Sequence, residues 1–101
     1  MREDYYRRTY GVTMADLEQL LLLQQERCAI CKRHWKSCAL AKHSRYEIVF
    51  LQHLYVDHDH TSGKVRGLLC NNCNSAIAML NEDPARIESA KQYLRKHKRT
   101  Q

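Results

Sequence analysis

A chain of 101 residues with 17 Lys and Arg against 11 Asp and Glu, a formal net charge of +6, has room for one domain and leaves none for a second independent core. Its basic balance favours a polyanionic partner, nucleic acid before an anionic membrane surface, over a role in which the charge serves solubility alone. One Trp, one Phe and five Cys imply a small core that a metal or disulfides must reinforce, and no run is long enough to cross a membrane.

Residues 1–11 are polar, with Tyr5, Tyr6 and Tyr10 set between arginines, and read as an N-terminal arm or short helix. The opening MREDYYRRTYGVT has no apolar signal-peptide core. A reducing cytoplasmic setting is therefore expected, where paired cysteines read as metal ligands rather than disulfides. Thr13 with Asp16 predicts a helix N-terminus, and Leu17, Leu20, Leu21 and Gln24 share one helical face that Leu22 and Leu23 broaden. This places a helix over 14–26, stopping just before Cys28.

Cys28-Ala-Ile-Cys31 predicts a tight knuckle. The variable segment 32–52 is basic (Lys32, Arg33, Lys36, Lys42, Arg45) and holds Trp35 and Cys38. Short strands are expected at 48–51, 53–57 and 64–67, the last two joined by a turn at Ser62-Gly63. A helix follows over 71–80, with Ile77 and Leu80 facing inward. Asp83-Pro84 then supplies an N-cap and a first helical residue for a C-terminal helix over 84–97. That helix carries Ile87, Ala90 and Leu94 on one face and ends in a cationic turn suited to the helix dipole. The fold class is α+β.

Two Cys-x-x-Cys pairs, Cys28/Cys31 and Cys70/Cys73, form a zinc pattern. A two-residue gap lets both sulfurs of a knuckle reach one ion about 2.3 Å away, and four thiolates leave no open position, so the zinc is structural. It ties the end of the first helix to the start of the helix at Asn71. Four bound thiolates around Zn²⁺ lower the net charge to about +4, still basic. Cys38 is left over as a free thiol.

Between these pairs lies VDHDHTSGKVRGLLCNNCN, residues 56–74. Asp57 offers a hard oxygen and Asn74 a neutral amide oxygen, a donor set for Mg²⁺ or Mn²⁺, which keeps several waters. His58 can take a proton from water near neutral pH, and a bound cation would stabilise the charge developing in phosphodiester hydrolysis. Along an extended strand Asp57 and Asp59 point one way, His58 and His60 the other, so all four do not share one ion. Arg66 is a candidate phosphate contact through its forked guanidinium.

With these residues in hand, the sequence resembles the recombination endonuclease VII family of HNH, or ββα-metal, nucleases. The resemblance runs from Tyr10-Gly11-Val12-Thr13 through Cys28-Ala-Ile-Cys31 and residues 56–74 to Tyr93-Leu94. It implies a small zinc-stapled ββα-metal domain with flanking helices, in which Asp57 and Asn74 hold one divalent cation. It further implies that His58 is the general base, that His60 positions the scissile phosphate and that Cys28, Cys31, Cys70 and Cys73 bind zinc. Such families are typical of bacteriophages, so the compartment implied is the bacterial host cytoplasm. Ile77 stands where some members place an acidic residue. Segment 32–52 is longer and more basic than the family leads one to expect, and little follows the Leu94 helix where junction-resolving members carry dimerisation structure.

The function expected is a metal-dependent DNA endonuclease, with branched or recombination-intermediate DNA among its candidate substrates. The alternative is a non-catalytic zinc-stabilised DNA-binding or regulatory phage protein. DNA is the expected partner, and the chain acts as a monomer or a homodimer; two symmetric nicks in a junction require two sites.

Overall fold

The computed structural model describes residues 8–9, 11–40 and 48–98. Most of the expected N-terminal arm, and Lys42 and Arg45 of the basic segment, lie outside these residues. Helix α1 (Met14–Leu23) opens with the reciprocal cap its sequence predicts. The Asp16 N–H donates to the Thr13 hydroxyl at 3.1 Å, and the Thr13 N–H to the Asp16 carboxylate at 2.9 Å. Leu17 and Leu21 enter the core, with Leu20 half-buried beside them. Leu22 and Leu23, expected to broaden that face, are 64% and 72% exposed. An apolar stripe roughly 100° wide cannot take in four consecutive leucines.

The helix ends at Leu23 rather than Glu26, because Gln25 and Glu26 adopt left-handed φ values of 58° and 60° and reverse the chain. That reversal frees the Gln24 amide to reach β2 (Val65–Cys70). Its Oε1 accepts from the Leu68 N–H at 2.9 Å, and its Nε2 donates to Leu68 O at 3.0 Å and Arg27 O at 2.8 Å. One side chain thus serves both backbone groups of a fully buried strand residue. A Cβ on Gly67 would stand 3.0 Å from Gln24 Oε1, close enough to press on the amide.

The knuckle closes through the Cys28 N–H to Arg33 O at 2.9 Å and the Lys32 N–H to Cys28 O at 3.1 Å. After it, Trp35–Ser37 forms a 3₁₀ turn. The Trp35 ring lies 5.2 Å from His53 and 5.8 Å from His34, and its indole N–H reaches Glu26 at 3.3 Å. The strand expected at 48–51 does not form: Val49–Gln52 is a second 3₁₀ turn. Phe50 and Leu51 are both buried, whereas neighbours on a strand face opposite sides.

Strand β1 (Leu54–His58) pairs antiparallel with β2. The ladder runs from Leu54↔Cys70 to Asp57↔Gly67, then jumps to His58↔Val65. Arg66 is therefore the extra residue of a β-bulge. Strand β2 continues past the expected Gly67 to Cys70, and Gly67 to Cys70 are all buried. Cys70 is at once the last strand residue and the N-cap of α2 (Asn71–Met79), which packs against both strands. Ile77 and Leu80 are half-buried, Ile77 against the core. Helix α3 (Pro84–Lys98) starts with the predicted cap, the Ala85 N–H donating to Asp83 Oδ1 at 2.9 Å. It buries no residue among those described. The architecture is the expected α+β, and its strand–strand–helix run β1–β2–α2 carries the site residues.

Candidate metal centre and active site

The two knuckles meet as their spacing predicts. The Sγ atoms of Cys28, Cys31, Cys70 and Cys73 all lie within 4.8 Å of one another, and those of Cys31 and Cys70 are 3.9 Å apart. A tetrahedron with metal–sulfur bonds of about 2.3 Å has sulfur–sulfur edges of about 3.8 Å. The cluster is thus positioned to bind zinc with an adjustment of about an ångström at its widest edge. The Cys70 N–H already points at Cys28 Sγ, 3.4 Å away.

Burial works against a Cys28 thiolate, but the N–H groups of Cys70, Cys31 and Ile30 prevail and bring its thiol down to about 6. Burial, together with the sulfurs of Cys70 and Cys28, pushes Cys73 upward. Cys38 is buried beside the cluster, with its sulfur 3.5 Å from His34 O. Burial first, then the charges of Cys70, Cys31 and Cys28, raise that thiol to about 11. Cys38 behaves as a small core residue.

The second group forms at the turn end of the hairpin. Asp57 is buried, and Arg66 grips it from the bulge, Nε to Oδ2 at 2.8 Å and Nη2 to Oδ1 at 3.0 Å. In an unbroken ladder Arg66 would face Asp57 from the opposite side of the sheet; the bulge turns it onto the same side. The fork expected to meet a phosphate is engaged here by protein carboxylates, since Arg66 Nη2 also donates to Glu82 at 3.0 Å. Asp57 first and Glu82 after it raise the Arg66 pKa, keeping the guanidinium charged.

His58 ends β1, and its ring centroid lies 4.8 Å from that of His60. The strand stops between the two, yet both imidazoles remain on one side. His60 Nε2 is 3.0 Å from Glu82 Oε2. Asp59 serves the turn instead. Its carboxylate accepts the N–H groups of Thr61 at 2.7 Å and Ser62 at 3.0 Å, capping the turn at Gly63. Asn74 stands one turn into α2, half-buried. Glu82 is the residue that sequence reasoning missed. It belongs to no motif and stands just before Asp83-Pro84, the pair that marked the helix start.

These features accompany clear kinship. The profile of the family described as recombination endonuclease VII matches residues 3–96. The Gene 59 protein of Mycobacterium phage D29 is 39% identical over 89 residues, which cover 87% of this chain and 46% of that protein. The Gene 59 protein of Mycobacterium phage L5 is 44% identical over 66 residues, 65% of this chain and 32% of that protein. The chain therefore spans less than half the length of these curated relatives. No solved structure matches. Among the described residues, no helix is long and apolar enough to cross a membrane.

Proposed function

The chain belongs to the recombination endonuclease VII family, and on that premise we propose that it is a metal-dependent DNA endonuclease of the HNH, ββα-metal type, acting on phage or host DNA in the host cytoplasm. The observation that carries this reading is the grouping of Asp57, His58 and His60 at the end of a hairpin whose second strand leads through Cys70 into the helix bearing Asn74.

The donor set suits one Mg²⁺ or Mn²⁺. Each Asp57 oxygen accepts a single N–H from Arg66 and so keeps a lone pair for a cation. Asn74 offers a neutral oxygen, and water completes the shell of such a hard ion. When bound, the cation supplies Lewis-acid stabilisation of charge on the phosphate and leaving oxygen. His58 takes the proton of the attacking water as general base. His60 presents its ring to the scissile phosphate. Arg66 holds Asp57 in place and keeps a positive charge beside the site. Lys32, Arg33 and Lys36 near the zinc knuckle, with Arg95, Lys96 and Lys98 at the end of α3, meet the DNA backbone, giving binding that weakens with salt.

The test is a cleavage panel of linear, nicked, branched and four-way DNA with and without Mg²⁺ or Mn²⁺. Cleavage should require the cation, and His58→Ala should lower its rate about 10²–10⁴-fold while zinc content and folding persist. Wild-type protein inert on every substrate and cation would sink the proposal.

A second reading, a zinc-stabilised DNA-binding or regulatory phage protein without catalysis, draws on one observation. Both Asp57 oxygens are engaged by Arg66, as in a structural ion pair. Salt-dependent DNA binding that survives loss of His58 and Asn74, with no cleavage by the wild type, would favour it.

A further inference from the structure

Glu82 joins residues that the hairpin alone does not connect. Its Oε1 accepts from Arg66 Nη2 and its Oε2 faces His60 Nε2, each at 3.0 Å. Through Arg66 the contacts extend to Asp57, and through His60 to the ring of His58. One carboxylate thus touches both the residue that grips the candidate metal ligand and the histidine beside the candidate base.

The backbone that presents Glu82 is unusual. Asn81 and Glu82 are both left-handed, with φ of 62° and 51°. This is where a helix end favours glycine, and glutamate adopts it with strain. The Glu82 N–H donates to Ile77 O at 2.7 Å and the Asn81 N–H to Ala78 O at 2.9 Å, closing the last carbonyls of α2 and turning the chain back toward the hairpin. Glu82 and His60 then form one wall of an open depression completed by Ala78 and Asn81.

His60 needs such a partner. Its side chain is 67% exposed, against 27% for Glu82, so the hairpin packs too little against the ring to fix it. The 3.0 Å approach is an ion-pair contact, and because a carboxylate can only accept, closing it into a hydrogen bond requires the proton on Nε2. That choice leaves Nδ1 as the edge presented outward, in the way that a carboxylate behind a catalytic or metal-bound histidine sets its tautomer.

We propose that Glu82 is the positioning residue of this site: it locks His60 in the Nε2–H tautomer with Nδ1 turned to substrate, and it holds Arg66 against Asp57. The consequence for cleavage rests on the nuclease reading above; the tautomer does not.

Two measurements on the full-length, zinc-loaded protein test it. In ¹⁵N-detected ring spectra at alkaline pH, wild-type His60 should be almost wholly Nε2–H, and Glu82→Gln, whose amide no longer offers an acceptor to both neighbours, should redistribute the tautomers. In cleavage assays Glu82→Gln should lower kcat about 10–100-fold, the range for removing the outer partner of a site histidine, while KM for DNA changes less than about threefold. A wild-type ring with mixed tautomers, a population unmoved by the substitution, or wild-type kcat in the variant would each overturn the proposal. Wild-type protein that cleaves no DNA would remove the nuclease reading, and the ring spectra alone would then decide the role of Glu82.

Discussion

Arg66 reaches Asp57 only because β2 carries one residue more than β1 between Asp57 and His58. The pair is a product of the bulge, and its energetics follow from burial. Asp57 is nearly enclosed, whereas Arg66 keeps part of its side chain in water. Arg66→Ala would strand a carboxylate in the protein and should cost about 2–3 kcal/mol, below the range for fully buried pairs because water reaches one partner. Arg66→Lys should recover only part of this, since an ammonium cannot span both oxygens. Denaturant unfolding with zinc in excess measures both.

The contact between Gln24 and Leu68 predicts a coupled pair of substitutions. Gln24→Ala removes the partner of the Leu68 N–H inside the core and should cost about 1–3 kcal/mol, the penalty for an unsatisfied buried backbone group. Gly67→Ala drives a methyl toward Gln24 Oε1 and should also destabilise. Because both act on one contact, the double variant should be more stable than the sum of the single losses implies, as a double-mutant cycle would measure.

On the proposed reading, zinc and the catalytic cation have separate roles, and removing each should have a different effect. The four sulfurs join the knuckle that follows α1 to β2 and α2. A chelator strong enough to strip zinc should unfold the domain, as should Cys31→Ser, since structural zinc supplies about 10–16 kcal/mol of apparent binding free energy in small domains. Removing Mg²⁺ alone should leave the circular dichroism spectrum unchanged while cleavage stops. Native mass spectrometry should find one zinc per chain.

Asp59 supplies a pH dependence to its turn. The N–H groups of Ser62 and Thr61 hold its carboxyl below the ordinary value. With the folded pKa depressed, its contribution to stability is complete above the unfolded value of about 3.9 and is lost as pH falls through the lower folded value. The Thr61 and Ser62 amide resonances should therefore show the Asp59 carboxyl titration only below about pH 5. Asp59→Asn should flatten the acid limb of the stability profile; a Thr61 midpoint above about 4 would contradict this account.

What the sequence made legible was chemistry confined to a few neighbouring residues. The Thr13–Asp16 cap, the Asp83-Pro84 start and the two cysteine knuckles each carry their partner within a turn of the chain, and each formed as expected. Asp57, His58 and His60 could be named from a run of four residues, but their neighbours could not. The Arg66 bulge is a property of register between two strands, which neither strand states alone. Glu82 reaches the hairpin from beyond α2 through a left-handed turn made without glycine. Residues 48–51 read as a strand because β-branched propensity is local, whereas the joint burial of Phe50 and Leu51 in the Val49–Gln52 turn is set by the core.

Cys70 closes a strand, caps a helix and offers a sulfur to the metal cluster. With zinc bound, the angle at which α2 leaves the sheet becomes a ligand bond angle as well, and on the proposed reading the offset of Asn74 from Asp57 follows the radius of that ion. Exchanging zinc for a larger thiophilic metal would act as a mechanical adjustment made at one end of a lever and read at the other.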